Sequence, residues 1–269
     1  MLEVYENQVV QIMTAKPLMM NGLMDTASIL EKSLMLRQER KFELAFEHMQ
    51  ETFQAGHSEL KALVWQHSPI FWKDISAGIC VLSRRCGEDA GFLRELWKDP
   101  DLVYRFHRHS APLPESNAEL QRILNQEMSS IISESHAIHW VVRDNSGQPW
   151  GLLSICEMSL VHRRAEVLMG MLPGAPVGLT AAAMLILFQF YFNAMKFNKL
   201  VSMVYLENTH SIKSTMHLGF KKEGLLRNHA HDPRTGLYHD MVQLGLLKDD
   251  AFQTGNQRLM QRLLTPQKK

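Results

Sequence analysis

Pro173, Gly174, Pro176 and Gly178 interrupt the chain just before an apolar helix that starts near Leu179. A helix start presents backbone N–H groups without intrahelical partners and the positive end of a dipole, which together favour an anion such as a phosphate. Farther on, Asn208 ends a strand-like run and Ser211 enters a helical one, so their side chains can fix the turn by capping. The chain holds 13 histidines, of which His229, His231 and His239 lie closest together. They come without an accompanying cysteine or an HExxH frame, and no metal is expected. The three cysteines, Cys80, Cys86 and Cys156, also lack metal-ligand spacing, and with no signal-like opening segment a cytoplasmic setting is expected.

These groups sit in a chain of 269 residues, long enough for one ordinary domain and a smaller module. With 29 basic and 28 acidic residues the formal charge is +1, which offers no field to recruit nucleic acid or an anionic membrane. From Val167 to Met195 no residue is charged. A membrane span is the obvious competitor for so long a run. The prolines and glycines in its first half argue against it, because they would leave backbone groups unsatisfied in lipid. Buried structure in a water-soluble fold is the expected outcome.

The elements that must position the site can be read from hydrophobic period. Residues 1–75 form an N-terminal helical module: Leu30, Leu34, Phe42, Phe46, Met49 and Phe53 recur at helical spacing, as one helix or two. Gly56 is a stop, and Ser58 caps a further helix burying Leu60, Leu63, Val64 and Trp65 before Pro69. From Ala77 the pattern becomes strand then helix, with Phe92, Leu93, Leu96 and Trp97 on the helix. A helix is predicted over 116–132, and a hairpin from strands 139–142 and 150–155 around Asn145-Ser146-Gly147. Strands at 165–172 and 199–205, helices at 179–196 and 211–217, and a last strand pair at 223–229 and 238–247 complete an α+β order with a mixed sheet. The 179–196 helix is apolar on nearly every face. The N-terminal helices or a dimer partner are expected to cover its second face, and 249–269 is a tail with helical character.

The run from Asn208 to Gly224, Asn-Thr-His-Ser-Ile-Lys-Ser-Thr-Met-His-Leu-Gly-Phe-Lys-Lys-Glu-Gly, resembles the signature of the GNAT N-acetyltransferases, N-x-x-S-I-x-x-x-x-x-L-G-F-x-x-E-G. Arg163-Arg164-Ala165-Glu166, Arg227 and Tyr238-His239-Asp240 resemble the branch that acetylates ribosomal-protein and other amino-terminal amines. The resemblance covers residues 76–248. It implies a mostly antiparallel sheet splayed between two central strands, with acetyl-CoA or another acyl-CoA in the gap, its pyrophosphate at the next helix start. The family's loop there is Q/R-x-x-G-x-G/A, and this chain has Ala175-Pro176-Val177-Gly178-Leu179-Thr180, in which only Gly178 matches and Pro176 has no N–H to give.

By resemblance, the donor contacts fall on Met171, Leu172, Val177, Gly178, Leu179, Thr180, Asn208 and Ser211. Glu166 takes the position of the catalytic base; the alternative is a strand carboxylate paired with Arg163 or Arg164. The family's acidic tyrosine falls at Thr215, so Ser214 or Thr215 is the candidate proton donor, unless each hydroxyl bonds its own helix backbone. His229, Tyr238 and His239 border the implied acceptor cleft or are simply solvated loop residues. The implied reaction is acyl transfer from a thioester to a primary amine, on a protein amino terminus, an amino sugar or another small amine. An acyl carrier protein as donor and a degenerate domain that only binds are the alternatives.

Overall fold

The computed structural model describes residues 23–54, 68–106, 112–128, 137–232 and 235–265. The helix expected after Ser58 and the end of the one expected to reach Ile132 lie outside these residues. The chain divides into two compact units. One consists of residues 1–75, 83–94 and 112–136, the other of 76–82, 95–111 and 137–269.

In the first unit, α1 (Leu23–Gln38) and α2 (Phe42–Gln54) form a hairpin, resolving the choice between one helix and two. Arg40 has φ 58°, a conformation usually given to glycine, and Lys41 N–H reaches back to Leu36 O at 2.8 Å. That closing motif lacks the glycine that would have announced it. Arg37 and Arg84 are buried, each with its guanidinium against the Trp72 ring, 4.0 and 4.6 Å from the centroid. Helix α5 (Asn117–Glu127) starts where Ser116 Oγ accepts the Glu119 N–H. Between them in sequence lie α3 (Ala90–Leu96) and α4 (Pro100–Phe106).

The sheet has eight strands: β1 (Ile75–Ala77), β2 (Cys80–Arg84), β3 (Ile138–Asp144), β4 (Pro149–Ser159), β5 (Arg164–Met171), β6 (Lys199–Tyr205), β7 (Lys221–His231) and β8 (Tyr238–Leu247). Their order is β1-β2-β3-β4-β5-β6-β8-β7. From β3 onward all pairs are antiparallel except β5–β6. This is the mixed, mostly antiparallel sheet flanked by helices that the sequence implied. At the β3–β4 turn, Asp144 accepts from Ser146 Oγ at 2.6 Å and Trp150 Nε1 at 2.8 Å. Those bonds hold its carboxyl down at about 2.

The apolar segment is α6 (Leu179–Phe188), continued by a π-helical stretch, Gln189–Ala194. Phe188, Phe190 and Phe192 are all buried. One side meets the sheet: Trp140 of β3 sits edge-on to Phe190 at 5.4 Å, and Tyr191 Oη donates to Lys199 O at 2.7 Å. The other side meets α9 (Thr254–Leu264), while Phe252, which follows the short α8 (Lys248–Ala251), lies edge-on to Phe192 at 6.3 Å. The C-terminal segment thus takes the role expected of the N-terminal helices or a dimer partner. Its strongly amphipathic α9 has the apolar stripe that such a cover requires. Among the described residues no helix is long and apolar enough to cross a membrane.

Candidate active site

Strands β5 and β6 run parallel and pair only at Arg164–Lys199, Ala165–Leu200 and Glu166–Val201. Past Glu166 each keeps its outer partner, β5 to Met171 beside β4 and β6 to Tyr205 beside β8, and they part from each other. A fork in a sheet leaves two facing edges with unpaired backbone N–H and C=O groups, and an extended ligand can pair with them. On β4 the register shifts between Cys156 and Ser159, and Glu157 takes φ 50°. Such a bulge re-aims side chains next to the fork.

A cavity of about 490 Å³ fills the fork, lined by Val167 to Met171 of β5, Ser202 to Tyr205 of β6, Thr180 and Met184 of α6, and Leu102 of α4. Its far wall is α7 (Thr209–His217), with Asn208, His210, Ser211, Ser214, Thr215 and Leu218. The sequence-predicted residues Met171, Thr180, Asn208, Ser211, Ser214 and Thr215 therefore share one cavity. Asn208 is the N-cap, its Oδ1 accepting the Ser211 N–H at 3.1 Å. Ser214 Oγ donates to His210 O at 2.9 Å, one turn back, so the backbone-bonded alternative holds for that hydroxyl.

The rest of the signature serves the fold. Gly219 has φ 99°, and a Cβ there would lie 2.7 Å from Asp250 O. Phe220 is buried against Phe188 at 6.1 Å. Glu223 pairs with Lys199 at 2.8 Å, which draws its carboxyl below the ordinary value, and it covers Gly245, where a side chain would collide with its carboxylate.

Of the loop residues assigned to the donor, Leu172, Val177, Gly178 and Leu179 are not among those lining the cavity. Val177 is 99% exposed and Leu179 fully buried. Two of the loop's amides are spent within it: Ala175 N–H bonds Leu172 O at 3.4 Å and Leu179 N–H bonds Pro176 O at 3.0 Å. Gly178 has φ 88°, and a Cβ there would come 3.1 Å from Leu263 Cδ2 and 3.7 Å from Ile79 Cδ1. The loop does not fit the family's way of holding a pyrophosphate, because its glycine is backed by methyl groups and no basic residue lies in it.

A second cavity, about 520 Å³, is lined by Glu157, Arg164, Glu166, Val201, Met203, His229, Ala230, His231 and Gln243. Met203 lines both cavities. Glu166 is 3% exposed and belongs to the last β5–β6 pair, so its carboxyl stands at the root of the fork. His229, expected from the resemblance to border the acceptor cleft, lines this cavity. Tyr238 is not: it is 62% exposed, its ring 5.0 Å from His231. His239 forms an aromatic cluster with Tyr104 of α4 and Tyr205, which stack on each other at 5.0 Å, and its Nδ1 lies 3.3 Å from Glu207. Sequence reasoning passed over Glu157, Gln243 and Tyr104. Glu157 reaches the cavity through a bulge without glycine, and Tyr104 joins the Tyr205–His239 cluster from a helix of only seven residues, each too slight a pattern to register. Burial pushes the Cys80 thiol of β2 up to about 12, so it offers no competing nucleophile.

A sheet forked at one parallel pair, with an amphiphilic cavity in the fork and a carboxylate at its root, defines a class of acyl-transfer folds. Residues 81–221 match the family described as the acetyltransferase (GNAT) domain, more than half of the chain, and the chain belongs to that family of acyltransferase enzymes. Among solved structures it is similar to spermidine N-acetyltransferase from Vibrio cholerae in complex with CoA and spermine. The two share 21% identity over 64% of this chain and 97% of that one, with a TM-score of 0.54. A single-residue variant of the same enzyme, SpeG, gives 21% identity, 65% and 96% coverage and a TM-score of 0.54. At this identity the likeness is one of fold. No curated protein matches the sequence.

Proposed function

We propose that the enzyme moves an acyl group, acetyl in the first instance, from the thioester of an acyl-CoA to a primary amine. The observation that carries this is Glu166, buried at the root of the fork and lining the cavity that shares Met203 with the fork cavity. An amine must lose a proton to attack a thioester, and a carboxylate at that point can accept it, directly or through water. The free edge of β5 past Glu166 offers backbone N–H groups to the developing oxyanion. Thr215, which faces the donor cavity, is the candidate donor to the departing thiolate, ahead of Ser214, whose hydroxyl is engaged.

For the acceptor, Glu157 and Glu166 against the single Arg164 in one cavity favour a cationic amine, and the relative crystallised with spermine supports a small one. The Arg163–Glu166 and Tyr238–Asp240 resemblance supports a protein amino terminus instead. The degenerate, binding-only reading is favoured by the loop alone.

The test is thiol release from acetyl-CoA with a polyamine, an amino sugar and a peptide bearing a free amino terminus. One class is expected to support turnover, and Glu166→Gln to lower kcat about 10²-fold or more with little change in donor binding. Absence of transfer from acetyl-CoA and from an acetylated carrier protein, to all three classes, would sink the catalytic proposal.

A further inference from the structure

Resting on the acyl-transfer reading, we propose that this site recognises its donor through the phosphopantetheine arm and does not grip the nucleotide half of CoA. Four features of the loop and its surroundings converge on this. Pro173 and Pro176 have no N–H, and the Ala175 and Leu179 amides are consumed by turns within the loop. The side of Gly178 that a Cβ would occupy is closed by Leu263 and Ile79 methyls, although the family uses glycine there to let a pyrophosphate approach. No lysine or arginine occurs from Val167 to Met195 to neutralise two phosphates. Val177, at the loop tip, shows its apolar side chain to solvent.

The closure is built in. Ile79 N–H bonds Leu263 O at 3.3 Å, and a Cβ on Gly78 would collide with that carbonyl. Farther along, buried Asn256 donates to Leu218 O at 2.8 Å and Ala251 O at 3.0 Å, fastening α9 to the end of α7. Moving the α9 backbone as a whole away from Gly178 would break the Ile79–Leu263 bond and both Asn256 bonds, so the helix is a fixed wall.

The fork itself is intact. Its two strand edges and the Thr180, Asn208 and Ser211 side chains suit an amide-bearing arm of pantetheine's chemistry. The same acylated phosphopantetheine arrives on CoA or on an acyl carrier protein, and a site that ignores the nucleotide accepts either.

Calorimetry on the full chain with CoA, 4′-phosphopantetheine and adenosine 3′,5′-bisphosphate tests this without knowledge of the acceptor. CoA and phosphopantetheine are expected to bind within about threefold of each other, with no binding of the bisphosphate. CoA binding more than about tenfold tighter than phosphopantetheine, or saturable bisphosphate binding, overturns the inference and leaves the acyl-transfer reading standing. Binding of none of the three overturns both. Leu263→Ala is expected to tighten CoA at least about fivefold and leave phosphopantetheine unchanged; unchanged CoA binding would also overturn it. Holo-carrier protein binding more tightly than CoA, in the same assay, identifies the carrier as the source, and the reverse identifies CoA.

Discussion

Among the described residues, Asp144 carries the clearest pH signature. The Ser146 hydroxyl bond, then the Trp150 indole bond, hold its folded carboxyl at about 2, below the ordinary 3.8. A depressed carboxyl contributes stability above its unfolded value and loses it as pH falls through the folded one. The β3–β4 turn is therefore expected to loosen between about pH 4 and pH 2. The indole N–H resonance of Trp150 should move over that window in the native protein, and Asp144→Asn should abolish the transition. Glu166 makes a contrasting case: its identity and strand were legible from Arg163-Arg164-Ala165-Glu166, but its place at a fork depends on where β6 ceases to follow β5. A strand sequence does not record the neighbour it will lose.

Among the elements, α7 shows how much of the signature is structural. Asn208 caps it and Gly219 ends it in a left-handed turn against Asp250. Asn208→Ala is expected to cost about 1 kcal/mol in urea unfolding, and Asn208→Asp to restore most of it, since either side-chain oxygen can accept the Ser211 N–H. Gly219→Ala combines positive φ with a contact the Asp250 carbonyl must yield to. It should destabilise by about 2–4 kcal/mol in the same measurement. Caps and left-handed glycines are local devices, which is why this helix could be placed from sequence within two residues. The π-helical turn at Gln189–Ala194 could not, because the contacts of Phe190 with Trp140 and of Tyr191 with Lys199 O that accompany it are tertiary.

At the scale of the molecule, the C-terminal helix decides two things together. It covers the outer side of α6 and it stands beside Gly178. Removing residues 254–269 should strip α9 from the outer side of α6, together with the Met260 contact at Gln189 and the Leu263 methyls at Gly178. The loss of the half-buried Leu259, Met260, Leu263 and Leu264 from this cover is expected to cost about 3 kcal/mol or more, visible as a lowered Tm and increased aggregation in calorimetry. A truncated protein of unchanged Tm would show that α6 finds its cover elsewhere.

The amino-acid sequence by itself determined the α+β order, the signature helix, the uncharged buried helix and the departure of the loop from the family's pattern. All of these are written in local spacing, in caps or in a motif shared by descent. Only the tertiary structure decided that the fork opens past Glu166, that Glu157 and Gln243 join it in one cavity, and that Leu263 closes the loop glycine from behind. Each of those facts is a meeting of residues far apart in the chain, and hydrophobic period specifies which side of an element is buried without naming what it is buried against.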